Sequence, residues 1–314
     1  MILLAALLFC VSSVYSLNIP SFVLAYDRAV ALRRSLISIN ALYTECQWTG
    51  DIHILVDGPE DINRDVTKTA SIFEWHHGDK KIVVQKGNIG LIAQRALTFS
   101  SEQKYWLVFE DDVEVSSLAC HFINYSLSMI DSQEDIFGIS LTQPQWQIGV
   151  NEKGGWRRLD QITKFTRESA ILFPSVSTWA QVFKRSTWND WVEFTRHRNA
   201  SAIEGSIYEK WYRRKPQSVW SRDFQYFIHV SELYNLHFNF PDDQTLAVSH
   251  REVGANTAFN RGPTGILLYD GNLLPKSSIG TPKKYSYCFD VEEERNELQL
   301  DHHGISYELH RNHY

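Results

Sequence analysis

The chain reads as an α/β protein with a mostly parallel sheet flanked by helices, and three observations predict it. Short β-branched and apolar runs alternate with stretches of helical apolar spacing from Ser21 onward, the pattern of strand–helix–strand units. Tyr105 to Phe109, Y-W-L-V-F, is apolar without interruption, as expected of a strand covered on both faces. Carboxylates recur where strands end, at Asp27, Asp57 and Glu110-Asp111-Asp112. Three adjacent carboxylates repel one another and resist desolvation, so they do not continue a core strand. Open α/β sheets place their ligands at the carboxyl ends of the strands, and that is where these acids fall.

Taken in order, Ser21 to Ala25 (S-F-V-L-A) predicts the first strand, followed by Tyr26-Asp27-Arg28. Ala29 to Leu42 has helical spacing with Arg33 and Arg34 outward. Asp51 to Val56 is a second strand, and Asp57-Gly58-Pro59 its turn. Thr67 to Trp75 fits a helix and Lys81 to Gln85 a third strand; Asn88-Ile89-Gly90 is a turn before a helix over Leu91 to Phe99. The acidic strand follows, and Ile139 to Leu141 reads as another. Seven of the ten tryptophans lie between Trp146 and Trp220. Each one suits a core, whereas a cluster in a polar, loop-rich half also suits stacking on sugar faces. Asn151 to Trp156, interrupted by Gly154-Gly155, reads as a loop able to close over a ligand. Ser218 to His229 predicts a helix with Asp223 in its first turn, where an Asp serves as a cap or as a site carboxylate. The expected division is a signal peptide over 1–16, one domain over 17–282 with halves 17–145 and 146–282, and a charged tail over 283–314.

Composition bounds the function. With 43% hydrophobic and 13% aromatic residues the 314-residue chain has ample core. A net charge of -6 argues against nucleic-acid or anionic-membrane binding. The apolar run from Ile2 to Val11, with Val14 and Ser16 after it, fits a cleaved secretory signal and is short for a stable membrane span. Without that segment Cys46, Cys120 and Cys288 remain, which allows one disulfide of unassigned pairing and a free thiol. Asn124-Tyr125-Ser126 and Asn199-Ala200-Ser201 are glycosylation sequons. There is no G-x-G-x-x-G and no G-K-[ST] loop, so dinucleotide and P-loop chemistry are not indicated.

Five stretches in order resemble nucleotide-sugar glycosyltransferases of the GT-A, Rossmann-like fold, over most of Ser21 to Thr257: F-V-L-A-Y-D-R; L-V-D-G-P; G-N-I-G-L with F-E-D-D-V-E-V; F-P-S-V-S-T-W-A-Q-V-F-K-R-S-T-W; and W-S-R-D-F-Q-Y-F with F-P-D-D-Q-T-L-A-V-S-H-R-E-V-G-A-N-T. The nearest likeness is to family-2-like and N-acetylglucosaminyltransferase-I-like members. The closing loop departs from the family in reading S-H-R-E-V-G, and the acidic pair of the closing helix is reduced to Asp223. The resemblance implies transfer of a hexosyl or N-acetylhexosaminyl group from a nucleotide diphosphate sugar to a hydroxyl of a glycan, glycoprotein or other acceptor, with inversion. It implies Mn²⁺ or Mg²⁺ held by Asp112, with His250 as a further ligand, in keeping with the hard oxygen donors present. Tyr26, Asp27, Arg28, Asp57, Asn88, Gly90, Arg95, Glu110 and Asp111 would line the nucleotide sugar, and the Trp-rich half would face the acceptor. Asp223 would be the general base, with Asp242 or Glu252 next in line. Two other readings share these carboxylates: an inactive glycan-binding protein of the same fold, and a metal-dependent phosphohydrolase.

Overall fold

The structure is a computed structural model that describes residues 17–85, 103–142, 146–148, 156–158, 170–177, 179–197, 220–238, 240, 244–250, 252 and 283–284. Met1 to Ser16, the turn at Asn88 to Gly90, the helix expected over Leu91 to Phe99, residues 151–155, the Asn199 sequon and the tail beyond 284 lie outside the described residues.

The strands are β1 (Ser21–Ala25), β2 (Ile52–Asp57), β3 (Lys80–Gln85), β4 (Tyr105–Glu110), β5 (Val113–Val115), β6 (Ile136–Ser140), β7 (Trp146–Ile148), β8 (Trp156–Arg158), β9 (Ala170–Phe173), β10 (Ala180–Lys184), β11 (Tyr234–Phe238), β12 (Ala247–Ser249) and β13 (Lys283–Lys284). The helices are α1 (Ala29–Glu45), α2 (Glu60–Ile72), α3 (Ala119–Ser132), α4 (Arg185–His197) and α5 (Trp220–Val230). Nine strands form one sheet in the order β13-β9-β11-β6-β10-β4-β1-β2-β3. The expected parallel character holds across β3, β2, β1 and β4, and β6 and β11 run the same way. β10 is inserted antiparallel between β4 and β6, and β9 lies antiparallel beside β11. Strands from both sides of residue 145 therefore share one sheet.

Side chains alternate between the faces along each strand. Val23, Ile54, Leu107, Ile139 and Leu236 pack under α1, α2 and α3. Phe22, Leu24, Val108, Phe137 and Phe183 pack under α4 and α5. Trp188, Trp191 and Trp220 belong to that second core, so these three tryptophans serve packing.

Both ends of α2 and the end of the loop before β8 differ from expectation for identifiable reasons. α2 starts at Glu60, about two turns earlier than Thr67, because Pro59 precedes it and Glu60 and Asp61 suit the positive end of the helix dipole. It ends at Ile72, where the Lys80 ammonium donates to the Ala70, Ser71 and Phe73 carbonyls. Trp156 begins β8, paired with β7, so the loop expected through Trp156 ends no later than residue 155.

Candidate metal and nucleotide site at the sheet edge

β1, β2 and β4 are parallel, so Tyr26-Asp27-Arg28, Asp57 and Glu110-Asp111-Asp112 emerge at one edge of the sheet. A second element reaches this edge from far along the chain. β12 pairs antiparallel with β5, directly after the acidic triplet, and the His250 amide donates to the Asp112 carbonyl at 3.0 Å. Ser249, His250 and Glu252 are thereby laid against the triplet.

Arg28 is the hub of the cluster. Its guanidinium donates through Nη2 to Asp111 Oδ1 and through Nη1 to Asp112 Oδ2 (2.8 Å) and the Glu252 carbonyl (3.2 Å). Arg28 sits at the N-cap of α1, a position that favours acceptor side chains, and α1 has neither a side-chain cap nor an acid in its first turn. The carboxylates facing it therefore outweigh the local preference. Burial works against the Arg28 charge, but Asp111 and Asp112 prevail and raise its pKa. Asp111 is the more enclosed partner, its side chain 1% exposed against 17% for Arg28. Burial pushes its carboxyl up to about 6, while Arg28 and the Tyr26 amide (3.1 Å to Oδ2) pull it down. Asp111 thus ties the β1 turn to β4.

Asp112 divides its two oxygens. Oδ2 accepts from Arg28 and, at 3.4 Å, from the Ser249 hydroxyl. Oδ1 is buried and has no hydrogen-bond partner among the described residues. A buried carboxylate oxygen without a partner is costly unless a cation satisfies it. His250 is the imidazole that the β12–β5 pairing brings alongside Asp112. Its Nε2 meets Glu114 Oε2 at 3.0 Å, the carboxylate contact that orients a ligating imidazole and leaves its other nitrogen free for a metal. The donor set, one carboxylate oxygen and one imidazole nitrogen, suits Mn²⁺ or Mg²⁺ completed by phosphate and water oxygens. Cys46, Cys120 and His121 also lie together, but the two sulfurs are joined in a disulfide and do not offer thiolates.

Asp57 is buried and accepts from the Gly58 amide at 2.7 Å, the turn chemistry that its sequence context also allowed. Gly58 has φ of 96°, and a Cβ there would stand 2.7 Å from the Tyr26 ring, so turn and ring are fitted to one another. Asp27 is exposed. Glu110 is half-buried, and its amide donates to the Trp179 carbonyl at 3.1 Å. Glu252 is ion-paired with Arg34 at 2.8 Å. Asp223 lies in the first turn of α5. A short turn joins the far end of that helix to the start of β11, which runs parallel to β4, so the first turn faces the carboxyl edge as well. Its carboxylate is buried, 3.4 Å from the buried Arg222 guanidinium. Asn88, Gly90, Arg95 and Asp242 lie outside the described residues. Glu114 and Ser249 were not singled out from the sequence; the alternation V-E-V was the available signal for Glu114, and A-V-S offered none for Ser249.

Among the described residues no helix is long and apolar enough to cross a membrane. No family model and no curated protein matches the chain. Among solved structures it is similar to residues 1–349 of S. aureus TarS, at 12% identity and TM-score 0.42, over 70% of this chain and 58% of that one. It is similar to the galactosyltransferase LgtC in complex with donor and acceptor sugar analogues, at 16% identity and TM-score 0.35, over 65% and 68%. It is also similar to GalNAc-T7 with UDP, GalNAc and Mn²⁺, at 12% and 0.43, over 72% and 43%. The chain thus spans 58% of the TarS fragment and 43% of GalNAc-T7. These overlaps are loose, and the chemistry is carried by the site itself.

Proposed function

We propose that the chain is a divalent-metal-dependent glycosyltransferase that moves a hexosyl or N-acetylhexosaminyl group, with inversion, from a nucleotide diphosphate sugar to a hydroxyl of a glycan or glycoprotein in the secretory pathway. The observation that carries this reading is the buried Asp112 Oδ1, unpartnered among the described residues, at a sheet edge that also gathers Arg28, Glu110, His250 and the start of α1. Asp112 and His250 would hold Mn²⁺ or Mg²⁺, which supplies charge neutralisation for a departing nucleoside diphosphate.

The chain's own residues supply the rest. Arg28 is charged and partly enclosed beside Asp111 and Asp112, so it offsets part of the carboxylate charge that a diphosphate brought to this edge would meet. The uncapped first turn of α1 presents backbone amides of the kind that bind phosphate oxygens. Tyr26, Asp27, Asp57 and Glu110 would line the base and ribose, with Asp111 holding Tyr26 and Arg28 in place. Asn88, Gly90 and Arg95 remain assigned to the same pocket on the resemblance of their sequence. Asp223 would take the proton from the acceptor hydroxyl.

Calorimetric titration of nucleoside diphosphates in the presence of Mn²⁺ tests the donor half. Wild-type protein should bind one of them only with metal, and Asp112→Asn should lose that binding; undiminished sugar transfer in excess chelator would end the reading. Asp223→Asn tests the acceptor half. Removing a general base costs about 10² to 10⁴ in kcat, while donor affinity should stay unchanged.

A further inference from the structure

After β9 the backbone of residues 174–177 is irregular, yet Pro174 and Ser177 are buried and Ser175 and Val176 half-buried. Buried irregular backbone needs partners for its polar groups, and side chains of three elements supply them here. On α5, Gln225 Oε1 accepts from the Val176 amide at 2.9 Å and Nε2 donates to the Pro174 carbonyl at 2.8 Å. On β11, Asn235 Nδ2 donates to the Ser175 carbonyl at 3.0 Å. On β10, Gln181 Oε1 accepts from the Ser177 amide at 3.2 Å. The Gln181 and Asn235 amides also bond each other reciprocally, at 2.9 and 2.7 Å. They do so across β6 at Gly138, where a Cβ would come within 2.7 Å of Gln181 Nε2 and 2.1 Å of the Val182 carbonyl. Only glycine leaves room for that crossing.

This tied segment has a second attachment. Past Ser177, whose hydroxyl meets that of Thr142 at 2.8 Å, the Trp179 carbonyl accepts from the Glu110 amide. One end is therefore bonded to the helix that carries Asp223, two residues from Gln225, and the other to the first residue of the acidic triplet. We propose that this segment is a tie that sets the spacing between Asp223 and the acidic triplet, and that Gln225 is the positioning residue that anchors it. The inference rests on the reading of Asp223 as the base of a glycosyl transfer. In this role Gln225 acts through the backbone of Pro174 and Val176. A base held out of place by about 1 Å loses on the order of a hundredfold in rate, whereas donor binding at the triplet draws on β1, β4 and β12 and not on α5.

The test compares Gln225→Leu, which removes both bonds at similar volume, with Gln225→Glu, which keeps the acceptor for Val176 and loses the donor for Pro174. The leucine variant should bind nucleoside diphosphate and Mn²⁺ within about twofold of wild type, lose about 10- to 100-fold in transfer kcat, and lose less in donor hydrolysis by water. The glutamate variant should fall between, and it carries the test if the leucine variant does not fold. Residue-resolved amide exchange supplies a readout independent of turnover: exchange at Val176 and at Glu110 should quicken together. Faster exchange at Val176 with unchanged exchange at Glu110 overturns the tie. Quickened exchange at both with transfer kcat within about twofold of wild type overturns the positioning role. If wild-type protein turns over no nucleotide sugar, the functional reading falls, and Glu110 exchange still decides the tie.

Discussion

At Gly58 one residue decides how the donor edge is built. Its φ of 96° is one that a residue with a Cβ adopts at a cost of roughly 1–2 kcal/mol, and the added carbon would press on the Tyr26 ring. Gly58→Ala should therefore lower the melting temperature and weaken nucleoside diphosphate binding together, because Tyr26 is displaced from the turn that Asp57 closes. Unchanged affinity in a folded variant would remove Tyr26 from the pocket. D-G-P in the sequence already marked this turn, since only a few residue types tolerate it. The acidic triplet was equally legible, because three adjacent carboxylates mark where an apolar strand stops, although Asp111 and Asp112 turn out to be buried beside Arg28. What the sequence did not disclose is how they divide: Asp111 turned inward to Tyr26 and Arg28, Asp112 left with one oxygen unpartnered among the described residues. That division depends on Arg28 and on a ribbon partner more than a hundred residues away, and no local pattern encodes either.

Among elements, β4 was readable because a strand covered on both faces needs an unbroken apolar run. The direction of a strand is another matter. β10 reads A-Q-V-F-K, an alternation that fits equally well in either orientation, and its antiparallel place between β4 and β6 is fixed by tertiary packing. β11 hides a buried titratable group for the same reason. His237 is fully enclosed, and its Nδ1 meets the Thr142 carbonyl at 3.0 Å. Burial lowers its pKa to about 4, although the Thr142 and Ser175 carbonyls favour the charged ring. The folded-state pKa lies below that of the unfolded chain, near 6.5. The associated stability is therefore present above about pH 6.5 and is lost as pH falls toward 4, where the folded form also takes up the proton. A difference of this size amounts to about 3 kcal/mol. Urea midpoints measured from about pH 7 down to about pH 4 should fall steeply in wild type and more gently in His237→Gln. Parallel profiles would mean that other groups govern acid sensitivity.

Across the whole molecule, the Cys46–Cys120 disulfide joins the end of α1 to the start of α3 on the same side of the sheet, at a sequence separation of 74. The cysteine count allowed one bridge, and only the packing of α1 against α3 selects this pair. The bridge encloses β2, α2, β3, β4 and β5, which is most of the donor edge. In the chain-entropy account a loop of this length restricts the unfolded chain by about 4 kcal/mol. Replacing both cysteines by serine should thus lower stability by that order, with part of the loss coming from a serine hydroxyl at the fully buried position 120. For a domain of this size each kcal/mol shifts the melting temperature by about 2–4 °C, so a fall of about 8–16 °C is expected. Arg28 and the triplet hold each other through ion pairs that do not involve the bridge. Well below its melting temperature the double variant should therefore bind nucleoside diphosphate and Mn²⁺ as wild type does. A melting temperature lowered by only a degree or two would show that the unfolded chain gains little freedom from losing the bridge. Weakened ligand binding in the cold would show instead that the disulfide shapes the site.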